Sequence, residues 1–413
     1  MPFHIFLSQS LSLLTGGLSA WKIAKDVITA LILAAVVILV VIKAKPSKQK
    51  HFFYLILLLS TVYGLLHVVI WALNPGIYRQ SAILGTIYNN RLLWYLMIGM
   101  GVALLAGPRL NQHRAVRLVL LVSSAVCALG VLQYFLPKDI LTHFGYSLAR
   151  GVRPAFFIDD KPDLPRIMST LRDPNSLGAF LILPITLLGY KLIRSQRRLL
   201  LGGLLGLHWL ALFLTFSRSA WLGLVISLGV LGFYELRGYM GKLIKYWPFL
   251  LAGLILLGGL VFLLRDQYVV QNVLVHSDEN TTAQLDSNEY HLVLIQRGLQ
   301  GIKDRPLGHG PGTAGLVSIQ NPQGGVLTEN YYVQIGYEVG ILGLLLFVAI
   351  NVLIYKKLSR QRTPLAICLL ASFWGYILVN MLLHTWSNEA VAAQWWLLAG
   401  LAIGVRHYNT KQV

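Results

Sequence analysis

The stretch 327–347, LTENYYVQIGYEVGILGLLLF, decides what kind of protein this is. From Val339 onward it carries no polar side chain, as the body of a membrane helix should. It opens instead with Thr328, Glu329 and Asn330, followed by two tyrosines. A carboxylate at the mouth of such a helix is either a cap on an exposed helix end or part of a site.

The rest of the chain is of the same character. Of 413 residues 56% are hydrophobic and only 12% charged, with mean hydropathy +0.63; a soluble domain carries about twice that charge. The composition predicts an all-α polytopic membrane protein, one membrane domain over 1–413. Apolar runs place about twelve spans, at 4–19, 26–43, 51–73, 92–106, 116–136, 176–194, 199–215, 218–236, 246–264, 330–355, 364–383 and 389–405.

The net charge of +19 would point to nucleic acid in a soluble protein. Here most of it sits in short connections at 43–50, 109–117, 191–198, 237–245, 356–362 and 406–411, where Glu235 is the lone neighbouring acid. Positive-inside bias explains this pattern without a nucleic-acid partner. The alternation puts both termini in the cytoplasm and the two long loops, 137–175 and 265–329, outside. Residues 1–20 end in small residues, TGGLSA, but lack a basic leader, so they read as a retained span and not a cleaved signal. Cys127 and Cys368 both fall inside spans, which leaves no disulfide framework and no zinc spacing.

The two loops hold the polar chemistry. The first carries Arg150, Arg153, Arg166 and Arg172 and ends in DPNS, with Asn175, a turn and cap for the next span. The arginines either form an anion site or pair with Asp159, Asp160, Asp163 and Asp173. Arg218, in LTFSRSAWLGL, is flanked by Thr215, Ser217 and Ser219 at the outer end of two closely joined spans. The second loop contains a capping box, Asp286 to Glu289, that starts a short amphipathic helix with an apolar stripe at Leu292, Ile295, Leu299 and Ile302. His291 flanks that stripe and Arg297 lies opposite it, toward solvent. The turn PLGHGPG that follows could cradle phosphate through bare N–H groups or simply stop the helix. Beyond Glu329, the span at 330 carries Asn330, Gln334 and Glu338 at four-residue spacing. HTWSNE, 384–389, adds a further polar outer turn.

Four segments, RIMSTLRDPNSLGAFL, LTFSRSAWLGL, GLQGIKDRPLGHGPGTAG and TENYYVQIGYEVGILGLLLF, occur in order over about 166–347. Together they resemble the O-antigen ligase / O-antigen polymerase superfamily of bacterial membrane glycosyltransferases. The resemblance implies an inverting, metal-independent enzyme of the bacterial cytoplasmic membrane that uses no cofactor. Its donor would be an undecaprenyl-diphosphate-linked glycan. Its acceptor would be a hydroxyl on a glycan, lipid or protein at the outer face. The family arginine of the SR motif falls on Arg218. His291 stands where the family has an arginine, and Glu329 where it has a histidine, with Asn330 keeping the following amide.

Such chemistry needs cations for the diphosphate leaving group, here Arg218, with Arg166 and Arg172 next. It needs a base for the hydroxyl, Glu329 or His291. Asn330, Asn175, Gln334 and Glu338 would support them. Ligase and polymerase fit the sequence alike. A secondary transporter is the rival class, but no internal repeat or midplane polar site is evident. A receptor or scaffold without turnover is a third.

Overall fold

The computed structural model describes residues 1–158, 161–236, 287–319, 321–322 and 324–405. Its helices follow the apolar runs closely: α1 (His4–Thr15), α2 (Leu18–Lys43), α3 (Lys48–Leu73), α4 (Arg79–Ala106), α5 (Gln112–Phe135), α6 (Pro174–Arg194), α7 (Arg198–Leu214) and α8 (Arg218–Leu236). After the second long loop come α9 (Ser287–Asp304), the single turn α10 (Gly315–Ser318), α11 (Tyr331–Ser359), α12 (Pro364–Leu382) and α13 (Glu389–Gly404). Among the described residues, 7 helices are long and apolar enough to cross a membrane, and two shorter apolar ones are α7 and α13. The expected span 246–264 and the capping residue Asp286 lie outside the described residues.

Two helix pairs set the frame. Gly99 of α4 and Gly400 of α13 face each other so closely that a Cβ on either would overlap the other's backbone. Gly223 of α8 and Gly375 of α12 do the same. Small residues at a crossing let backbones approach where lipid supplies no hydrophobic drive between helices. Around these pairs Trp386 stacks among Tyr376, Trp395 and Trp396, with ring centroids 4.9 to 5.7 Å apart.

The structure corrects three expectations. First, 4–19 is not a span. Gly16 and Gly17, both at positive φ (69° and 63°), end α1 after 12 residues, about 18 Å of helix and too short for a bilayer. Its buried face is polar, Ser8, Gln9 and Ser12, and Leu7, Leu13 and Leu14 point outward. It packs on the first long loop: Arg150 Nε donates to Gln9 Oε1 at 3.0 Å, and Phe6 meets Phe144 at 4.9 Å. His4 Nδ1 lies 2.9 Å from Glu389, the first residue of α13. The N-terminus therefore lies at the end of the bundle that bears the long loops, not at the basic end.

Second, α4 starts at Arg79 and not near 92. Its polar first turns are buried inside protein. Arg91 is 2% exposed, bonds Ser387 O and Glu389, and stacks on Tyr88 at 4.1 Å. Third, the first loop contains a β-hairpin, β1 (Phe156–Ile158) against β2 (Lys161–Arg166), with Phe156 paired to Arg166. Its backbone is otherwise helix and turn.

Candidate active site

The opening question about Glu329 has a local answer. Asn330 is the N-cap of α11, its Oδ1 accepting from the N–H groups of Tyr332 and Val333 at 2.9 and 3.0 Å. Its amide also donates to Met381 O at 2.9 Å, tying α11 to the end of α12. Glu329 is thus spared the capping role. It sits one residue outside the helix in left-handed backbone, φ 45°, a conformation that a non-glycine residue adopts only when its surroundings impose it.

That backbone turns the carboxylate toward His291, whose Nδ1 is 3.7 Å from Glu329 Oε2. The approach depends on glycines. A Cβ on Gly298 would press into Val333 and Thr328, and one on Gly301 would overlap the Tyr337 ring. Helix α9 therefore lies flush on α11, through Leu294, Gly298 and Gly301. This corrects the apolar stripe expected from periodicity, because Leu292 and Leu299 are 60% and 45% exposed. His291 lies at the edge of the glycine face, and Arg297 is exposed as expected.

The donors of positive charge come from the other side. Phe216, at φ 49°, makes the tight join between α7 and α8 and leaves Arg218 as the first residue of α8. The end of the hairpin docks on that join: Ile167 N–H bonds Leu214 O at 3.1 Å and Arg166 Nε bonds Thr215 O at 2.9 Å. Arg166 is held further by Asn175 Oδ1 at 2.9 Å. The three non-glycine residues of positive φ, Ser169, Phe216 and Glu329, all belong to the segments that build this region.

A cavity of about 140 Å³ opens in front of Glu329, lined also by Asp173, Asn175, His384 and Asn388. Burial, and then the charge of Asp173, raise the Glu329 carboxyl to about 7. The helix dipole pulls the other way, but desolvation dominates. Burial, and then the charge of Arg218, lower the pKa of His291, so at neutral pH its imidazole is uncharged. The pair is thus a neutral imidazole beside a carboxyl poised to ionise, near a guanidinium. That set can accept a proton from a hydroxyl and meet negative charge on a leaving group.

His384 was not singled out in the sequence beyond its polar turn. It bonds Thr328 Oγ1 at 3.0 Å and is kept neutral, its pKa lowered to about 4 by burial and then by the charge of His291. Asn388 caps α13 and shares the cavity wall.

Gln334 and Glu338 belong elsewhere. Glu338 is fully buried, about 13 Å along the helix from Glu329. Its Oε1 accepts from Gly312 and Ala314 N–H at 2.9 and 3.2 Å, and its Oε2 from Asn89 Nδ2 at 2.6 Å. Gln334 reaches the same Asn89 at 3.5 Å. At this point α11 kinks, Gly340 adopting φ 72°. The freed carbonyls of Tyr337 and Glu338 accept from His309 and Gly310 N–H, both at 2.8 Å. The glycine-rich turn therefore spends these N–H groups on α11 and has none of them left for phosphate.

Arg172, grouped with Arg166 in the sequence, opens on a different wall of the outer face, with Lys22 and Arg150.

Residues 203–348, from α7 to the middle of α11, match the family described as O-antigen ligase. No curated protein matches the chain. The matched segment holds Arg218, His291 and Glu329, the residues that the fold gathers around the cavity. On its sequence and its membrane-helical architecture the chain belongs to the O-antigen ligase family, through a family domain at 203–348.

Proposed function

We propose that this protein is an O-antigen ligase-like glycosyltransferase that moves a glycan from undecaprenyl diphosphate to an acceptor hydroxyl at the outer face of the cytoplasmic membrane. The observation that carries the reading is the Glu329–His291 pair, 3.7 Å apart, with Arg218 close enough to His291 to depress its basicity. In this reading the acceptor oxygen attacks the anomeric carbon while Glu329 takes its proton. The bond from that carbon to the diphosphate oxygen breaks, and the electron pair leaves with the diphosphate. Arg218 and Arg166 hold the departing charge as forked donors. One displacement inverts the anomeric centre, and arginines make a metal unnecessary. His291 orients Glu329, and His384 closes the wall behind them.

The test is transfer by purified protein in detergent, given lipid-linked glycan and acceptor with no ion gradient. Glycosylated acceptor and released undecaprenyl diphosphate are expected. Glycan movement seen only in sealed vesicles, without bond cleavage, would make the protein a transporter. Genetic deletion then separates ligase from polymerase. Loss of attachment with chains intact marks a ligase, and loss of chain length marks a polymerase.

A further inference from the structure

A second charged groove lies beside the catalytic cavity. It measures about 910 Å³ and is walled by the start of α2, the turn 148–153, Phe156 and Arg172, within the size range of ligand sites. Four cations line it: Lys22, Arg150, Arg153 and Arg172. Lys22 lies in the repulsive field of both Arg172 and Arg150. Among the described residues lining the groove the one carboxylate is Asp173, whose two oxygens each accept at 2.8 Å from Ser176, as the cap of α6.

The cations are held in place by neutral groups. Arg150 is fixed by Gln9 and Ser12 of α1, and Lys22 donates to Arg150 O at 3.0 Å. Arg153 lies over the Phe156 ring at 6.0 Å. No acceptor among the described residues bonds the Arg172 guanidinium. Like charges gathered this closely are unfavourable unless an anion joins them.

The groove is continuous with the catalytic cavity. An intervening cleft shares Lys22 and Arg172 with the groove, and His384 and Asn388 with the cavity of Glu329. Arg218 and Arg166 are not among the residues lining any of these three spaces.

We propose that this groove, built from Lys22, Arg150, Arg153 and Arg172, binds a phosphate or diphosphate group carried by the acceptor, so that donor and acceptor anions occupy separate sites joined through the Glu329 cavity. The proposal rests on the glycosyl-transfer reading for the word acceptor; the anion site itself does not. It also gives α1 a purpose, since that helix supplies the neutral acceptors that aim Arg150.

The probe is inorganic pyrophosphate, titrated calorimetrically into full-length protein in phosphatidylcholine nanodiscs. Two sites are expected, one lost in Arg218→Ala and the other in Lys22→Gln/Arg172→Gln. In the transfer assay the double variant should raise the acceptor KM about tenfold, the effect of losing one charge-assisted contact, and leave the donor KM unchanged. Arg172→Lys should restore part of it. A single pyrophosphate site, lost in Arg218→Ala alone, would overturn the proposal, and so would a rise in donor KM. Nanodiscs containing phosphatidylglycerol separate the sources of phosphate. If that lipid displaces pyrophosphate from the second site and the double variant keeps its acceptor KM, the groove is a lipid-headgroup site and the acceptor assignment fails. Two pyrophosphate sites in a protein that transfers no glycan would keep the groove and sink the glycosyltransferase reading instead.

Discussion

Glu329 and His291 meet at 3.7 Å because Asn330, and not Glu329, caps α11. Adjacent residues thus take separate duties, and their variants should fail differently. Glu329→Gln keeps size and hydrogen bonding but removes the base. Donor binding should be near normal and turnover should drop by roughly 10² or more. Asn330→Ala should instead lower stability by about 1 kcal/mol, as loss of a cap does. Wild-type turnover in Glu329→Gln would remove the catalytic reading.

The pH profile should carry the same signature. With the Glu329 carboxyl at about 7 and the base active when ionised, kcat/KM should rise with pH across about 6 to 8. The Gln variant should lack that limb. Stability runs the other way. Between the ordinary value of 4.5 and about 7, the folded chain holds a proton that the unfolded chain has released. The stability that this group contributes is therefore present at low pH and lost as pH rises through 7. Thermal unfolding at pH 5 and pH 8 should show a smaller difference in Glu329→Gln than in wild type.

Arg218→Ala should abolish transfer, and Arg218→Lys should recover little, because a point charge does not replace a planar fork at a diphosphate. Arg297→Ala, on the exposed side of α9, should stay within a fewfold of wild type. Dead Arg297→Ala with active Arg218→Ala would show that the wrong arginine has been assigned. Chelators should leave activity intact, and a strict magnesium requirement would refute the arginine-borne mechanism.

Glu338 should behave as a strut. Glu338→Ala strands the Gly312 and Ala314 N–H groups and Asn89, and each buried unpaired donor costs about 1–3 kcal/mol. A clear fall in melting temperature is expected, with Glu338→Gln intermediate because one acceptor survives. An unchanged melting temperature for Glu338→Ala, with lost turnover, would move this residue into the chemistry.

The position of α1 is open to cysteine labelling. Cys127 and Cys368 are buried, so background should be low. Ser19→Cys, exposed where α2 begins, should react with an impermeant reagent added outside intact cells. Ser359→Cys, exposed at the basic end of α11, should not. The opposite pattern would reverse the bundle in the membrane.

Local patterns determined much of this protein. A span needs only a run of apolar residues, so α2, α3, α5 and α6 follow the sequence to within a few residues at most boundaries, except that α2 begins at Leu18. Caps are equally local, and Asn111, Asp173, Thr363 and Asn388 each accept from the first turn as their types predict. Arg218, His291 and Glu329 were legible as candidates because polar residues at an outer helix mouth call for a reason. What the sequence could not contain is distance. Hydropathy does not tell a short surface helix from a span, so α1 was misplaced until Gly16, Gly17 and its polar buried face decided it. Periodicity marked Leu292 and Leu299 as the packed face of α9, but close approach is set by absent side chains, and the glycines won. Glu338 read as an intramembrane site until Asn89, 249 residues away, took its oxygen. Lys22 joined the arginines only through tertiary contact. Spans and caps arise between near neighbours in the chain, whereas a site is made where segments from across the chain converge, and that convergence exists only once the bundle has packed.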